Sequence, residues 1–209
     1  MILFFKEIIM RTIISCTLCL ILLASTAMAE SIDHRLGLTG RLGFIVPLKD
    51  STINGSTFSL ADTGFAGGGG LIYGFNKYLA AEFDVTHVNS LDVEDPYGAR
   101  IGEANLTDIG IGIQYRILPD KKFVPYLGLG GDFIKGDIED TRVEWTFGGH
   151  VNAGFDYFLN PNIALNIDCR YLLADKADIT MSGVKVGSFD PMNITTTAGI
   201  RLILPRKWW

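Results

Sequence analysis

The chain has 209 residues, 48% hydrophobic and 20% charged, with a formal net charge of −5. That length suits one domain with its own core, and the acidic balance excludes nucleic acid as a partner. Only one stretch is long and apolar enough to suggest a spanning helix, and it is N-terminal.

That stretch runs from Thr12 to Ala29. Arg11 precedes it, a short apolar run follows, and Ala27-Met28-Ala29 closes it. A positive residue, an apolar core and an A-x-A site describe a secretory signal peptide. Residues 1–29 are expected to be that signal, cut after Ala29. Lys6-Glu7 fits a ribosome-binding sequence read as codons, which would place the true start at Met10. Cys16 and Cys19 leave with the signal, so Cys169 remains alone and no internal disulfide can form. The mature chain then carries 16 basic against 22 acidic residues.

From residue 30 onward the dominant pattern is period-two alternation, the signature of strands. Eight such segments follow one another: 36–46, 64–75, 78–88, 105–117, 124–134, 144–158, 162–173 and 192–204. Each is long enough for a tilted membrane crossing, which takes about 9–11 residues. Short connections fall at Asn76-Lys77, at Pro119-Asp120-Lys121-Lys122 and at Asn160-Pro161-Asn162. Long polar ones fall at 47–63, 89–104, 135–143 and 174–191, the last with alternation that would extend its hairpin. Short turns at one end and long loops at the other are the pattern of outer-membrane barrels. The expectation is an all-β, eight-stranded antiparallel up-and-down transmembrane β-barrel over residues 30–209, in the bacterial outer membrane, with both termini periplasmic.

The strands have two unlike faces. One reads Leu38, Leu42, Phe44, then Leu71, Tyr73, then Phe83, Val85, then Ile109, Ile111, Ile113, and continues apolar through Leu127, Val151, Ile167 and Ile200. The other carries Arg41, Glu82, Asp84, Asp108, Arg116, Asp132, His150, Asp156, Asp168, Arg170 and Arg201. An arginine facing lipid at mid-membrane costs about 2–4 kcal/mol, so the charged face is expected to line the lumen. Beyond the signal, the lysines fall only in the expected turns, loops and tail, which argues against a water-facing strand surface. Aromatic residues collect at strand ends: Phe75, Tyr78, Phe123, Tyr157 and Trp208 at one side, Trp145 at the other. That suits interfacial girdles. Glycines such as Gly43, Gly70, Gly112, Gly130 and Gly199 share the charged face and leave room beside it.

Four stretches together resemble the OmpW family of small outer-membrane barrels: Arg41 to Pro47, Pro125 to Gly130, Asn162 to Leu172, and Asp190-Pro191 leading into Gly199-Ile200-Arg201-Leu202. The resemblance implies passage of small hydrophobic molecules. It also implies contact with outer-membrane lipid and lipopolysaccharide, and handling by the barrel assembly machinery. Two departures stand out. Met192 replaces an aromatic residue after Asp-Pro, and the chain ends Pro205-Arg206-Lys207-Trp208-Trp209 rather than on a strand-final Phe. Recognition for assembly then rests on the Trp208-Trp209 tail or on the strand itself.

Other chemistry is weakly represented. His150-Val151-Asn152-Ala153-Gly154 is similar to a stretch of lipid A deacylases, but the serine nucleophile is missing. His34 and His87 are isolated and form no metal-ligand set. Gly67 to Gly70 is no phosphate loop, since no helix or Lys-Ser/Thr follows. No catalytic residue, metal or cofactor is expected. The first reading is a narrow conduit for small hydrophobic solutes; the alternatives are a closed structural or adhesive barrel with partner-binding loops and, remotely, a lipid A-modifying enzyme.

Overall fold

The computed structural model describes residues 31–53, 56–60, 63–94, 97, 100–138, 141–181 and 184–205. The signal segment, including Ala27 and Ala29, and the Trp208 tail lie outside the described residues.

Eight strands close the main wall: β1 (Leu36–Pro47), β4 (Gly64–Gly74), β5 (Leu79–Glu94), β6 (Arg100–Arg116), β7 (Phe123–Ile138), β9 (Thr146–Asn160), β10 (Ile163–Ala174) and β13 (Asn193–Ile203). Each pairs antiparallel with its neighbours, and β13 closes on β1 through Arg41 opposite Gly199. The register passes from Val124 through Asp156, Asn166, Gly199, Arg41, Gly68, Thr86 and Asp108, and returns to β7 at Ile134. The stagger of ten residues between Val124 and Ile134 requires strands tilted by about 40°.

The short turns are built locally. Asn76 Oδ1 accepts hydrogen bonds from the backbone N–H groups of Tyr78 and Leu79, an Asx turn. Asn160 Oδ1 does the same for Asn162. Leu118, at φ 56°, opens the turn that Lys121 N–H closes onto its carbonyl.

The long connections are not loops throughout, which corrects the expectation. β5, β6 and β7 run on well past a single crossing, with 16, 17 and 16 residues. Five short strands continue beside them: β2 (Ser51–Ile53), β3 (Ser56–Leu60), β8 (Thr141–Val143), β11 (Ala177–Met181) and β12 (Val184–Phe189). Pairings β7–β8, β8–β11, β11–β12, β12–β2, β2–β3 and β3–β5 make a second closed ring above the first. Stretches of three to six residues are too short to show a period, so the sequence hides them. Three strands thus pass unbroken from barrel to crown. On the opposite side the wall is interrupted at Leu48–Asp50, Glu144–Trp145, Asp175–Lys176 and Asp190–Met192.

The outer face is apolar and exposed: Leu42, Phe44, Ile111, Leu129, Phe147 and Ile200 are each more than half accessible. Edge-on aromatic pairs Phe44–Phe65 and Phe133–Phe147 sit toward the crown, and the stacked pair Tyr78–Tyr115 toward the turns. Of the expected belt residues, Phe75, Tyr78 and Trp145 are exposed on this surface, and Phe123 and Tyr157 are partly so.

Before β1, residues 31–35 fold across the mouth at the turn end. His34 N–H donates to Gly74 O, and Ile32 is buried beneath it. A Cβ on Gly74 would lie 2.1 Å from Ile32 O, so the approach needs glycine there. Gly40, on the outer face, has nothing within 4 Å of such an atom. Gly74→Ala should therefore lower the urea midpoint of the vesicle-embedded barrel by well over 1 kcal/mol equivalent, and Gly40→Ala by less than about 0.5 kcal/mol. Equal effects would contradict the packing described.

Candidate functional site: a charged layer between two apolar seals

Inward positions change character along each strand. Next to the turns lies an apolar layer of Ile32, Ile72, Ala80, Val124, Phe158, Ala164 and Ile203. The middle is polar. Toward the crown the same strands turn apolar again within two residues: Thr86 gives way to Val88, Asp108 to Leu106, Asp132 to Ile134, Arg170 to Leu172, and Gly43 to Ile45. Phe58 and Phe189 come down from crown strands β3 and β12 and complete this upper layer.

All eleven charged residues singled out from the sequence are buried between these layers. Arg201 sits at the hub of the lower half. Its Nη1 donates to Asp156 Oδ2 at 2.7 Å, its Nη2 to Glu82 Oε1 at 3.1 Å, and its Nε to Thr39 Oγ1 at 3.0 Å. Its guanidinium also lies 5.9 Å from the Tyr126 ring centroid. Arg116 donates to the same Asp156 oxygen at 2.6 Å, and Arg41 donates to Glu82 at 3.2 Å. In the upper half, Arg170 grips Asp84 with both terminal nitrogens at 2.9 and 2.7 Å. It also lies 3.6 Å from Asp108 and 3.7 Å from Asp132.

Neutral groups that sequence reasoning missed finish the network. Tyr126 O–H and Asn152 Nδ2 each donate to Asp168 Oδ2 at 2.8 Å. Asn166 Nδ2 donates to Asp156 and to the Tyr126 oxygen, and Gln114 Nε2 donates to Glu82. Each occupies an inward parity position on its strand, so alternation alone could have found them. Arg35, missed because it precedes β1, is buried at the lower rim and donates to the carbonyls of Leu204 and Ile203.

A small cavity of about 10 Å³, room for one water-sized group, lies in the upper half among Arg41, Thr86, Asp108, Asp168, Arg170, Thr195 and Thr197. Outside the wall, a depression of about 440 Å³ is lined by Phe147, Gly148, Gly149, Leu173, Ala174, Asp175 and Met192, at the interrupted side. His150 Nδ1 meets the Asp132 carboxylate at 2.8 Å, and Asn152, where a nucleophile would be needed, is engaged with Asp168. No group of three or more metal-ligating side chains occurs among the described residues.

A closed antiparallel barrel with an apolar outer belt and an ionised interior is the architecture of an outer-membrane protein. The profile of the family "Outer membrane protein beta-barrel domain" matches residues 15–201, and the chain belongs to that family. The chain is 28% identical over 123 residues to an uncharacterized outer-membrane protein, y4mB, of Sinorhizobium fredii, covering 53% of each. It thus spans about half the length of the curated relative it matches. Among solved structures it resembles the outer membrane protein OprG of Pseudomonas aeruginosa, with TM-score 0.64 and 19% identity over 84% of this chain and 99% of that one. It also resembles Neisserial surface protein A, with TM-score 0.58 and 19% identity over 80% and 96%. These likenesses confirm the eight-stranded barrel fold. The protein is a small barrel of the bacterial outer membrane.

Removing one member of a buried ion set strands its partners, at a cost of about 3–5 kcal/mol. Arg201→Met should lower stability by that order, read from urea unfolding in lipid vesicles. Lys77 is exposed and donates to Asp120 at 3.1 Å, and that carboxylate raises the lysine above its ordinary pKa. Solvent screens such a pair, so Lys77→Ala should leave stability unchanged.

Proposed function

We propose that the protein is a conduit for small hydrophobic solutes of the kind the OmpW-like stretches imply, with entry at the crown and exit sideways into the bilayer. In this reading the crown faces outward among lipopolysaccharide, and both termini and the short turns face the periplasm. The charged layer is the floor. It closes the axis to ions and polar solutes, because ion-paired side chains crowd the mid-lumen and both ends are sealed by apolar ones.

One observation carries the proposal. The upper apolar layer, closed by Phe58 and Phe189 from crown strands, lies at the height where the wall breaks at Asp175–Lys176 and Asp190–Met192. The outer depression opens at that break. Phe189 lies on β12, directly before the break, so a small shift of β12 would join the apolar interior to the lipid side.

The second reading, a closed barrel whose crown binds partners, is favoured by the completeness of the two seals. Catalysis on lipid A gains no support from the His150 surroundings. The test is uptake of naphthalene, followed by fluorescence, in cells with and without the protein in a lipopolysaccharide-bearing outer membrane. Phe189→Ala should raise the uptake rate several-fold, while Arg116→Lys, deep in the floor, should not change it. Identical uptake with and without the protein would leave the closed partner-binding barrel as the better reading.

A further inference from the structure

The small cavity at the top of the charged layer has a chemical bias. Two of its lining residues each carry a buried atom without a hydrogen-bond partner: Asp108 Oδ1, an acceptor, and Arg41 Nε, a donor. Both residues are more than nine-tenths buried. Thr86, Asp168, Arg170, Thr195 and Thr197 complete the lining, with the Thr195 hydroxyl already donating to Asn193 Oδ1 at 2.8 Å. An unmet buried polar atom costs about 1–3 kcal/mol, so a group that satisfied both at once would bind with a real advantage.

Head-group chemistry separates the possibilities. An ammonium only donates and a carboxylate only accepts, whereas a hydroxyl does both. The net charge of the layer points the same way: six carboxylates face four guanidiniums, which disfavours an anionic head. In the lining itself Arg41 and Arg170 balance Asp108 and Asp168, so no net charge there calls for a cationic head. Water fits the cavity, and so does the hydroxyl of an alcohol. Immediately above, Thr86 gives way to Val88 and Asp108 to Leu106, the floor of the apolar layer that Phe189 caps.

We infer that this cavity is a hydroxyl subsite, and that the solutes best suited to the chamber are small apolar alcohols, aliphatic or phenolic. The hydroxyl donates to Asp108 Oδ1 and accepts from Arg41 Nε, while the tail takes the place of Phe189 among Val88, Leu106 and Ile134. The inference deepens the conduit reading and rests on it for the route, but the subsite itself is tested by binding alone.

The measurement is methyl NMR of the full-length chain in lipid nanodiscs, with threonine methyls labelled and outward Leu202 as the reporter of plain partitioning into lipid. Hexanol is expected to shift Thr86, Thr195 and Thr197 at about tenfold lower concentration than hexane, the worth of one charge-assisted hydrogen bond. Hexanoate is expected to leave them unmoved. Asp108→Leu should abolish the preference for hexanol, and Thr197→Val, a milder change, should reduce it. Equal responses to hexanol and hexane, or an equal response to hexanoate, would overturn the subsite. Hexanol binding without protein-dependent naphthalene uptake would remove the conduit and leave the subsite standing.

Discussion

Everything in this molecule follows from where ionised side chains are allowed to be. Hydrocarbon surrounds the wall and excludes them from its outer face. The only remaining volume at mid-membrane is the lumen, and that volume is narrow and sealed at both ends. Charges placed there lose water without finding bulk solvent, so they must satisfy one another. The geometry reflects that demand: Asp156 is shared by Arg116 and Arg201, and Glu82 by Arg41, Arg201 and Gln114. Glycines among these side chains leave the space they need: Gly110 for the Arg170 guanidinium and Gly112 for the His150 ring.

The same demand explains what could be read from the sequence. Parity along a strand assigns a face, and charge assigns the face to lumen or lipid. That logic located the eight crossings, the outer belt and every ion of the middle layer. It did not locate the seals. Ile45, Val88, Leu106 and Leu172 share the parity of the charged residues, but as isolated apolar residues at strand ends they carry no signal of their own. The sealing role of Phe58 and Phe189 depends on pairings across the crown, between β2 and β12 and between β3 and β5. Those are long-range facts that no local pattern encodes. Ile32 and Arg35 were missed for a related reason, since they act on the barrel from outside any strand.

The two seals are built differently, and the difference bears on function. At the turn end the sealing side chains belong mostly to crossing strands, held in register on both sides. Ile32 is added by a segment pinned to Gly74, and Arg35 ties the start of β1 to the last carbonyls of β13. The early end of β13 at Ile203, two residues before Pro205, therefore does not leave its carbonyls open: Asn162 and Arg35 both donate to Ile203 O. Withdrawing this seal means opening the barrel itself.

At the crown end the seal is completed by side chains on strands of five and six residues, attached to the wall across a line where, among the described residues, four of its eight strands are interrupted. Local opening is easiest where backbone pairing is least continuous. β5, β6 and β7 run through and stay paired on one side, so backbone pairing is least continuous on the side of β10 and β13. The lower seal thus sits on strands paired on both sides, and the upper one leans on short strands beside an interrupted wall. The two ends of the lumen are therefore closed by devices of unlike rigidity. The proposed lateral exit of apolar solutes rests on that asymmetry, since a wall facing hydrocarbon favours an apolar cargo over a polar one.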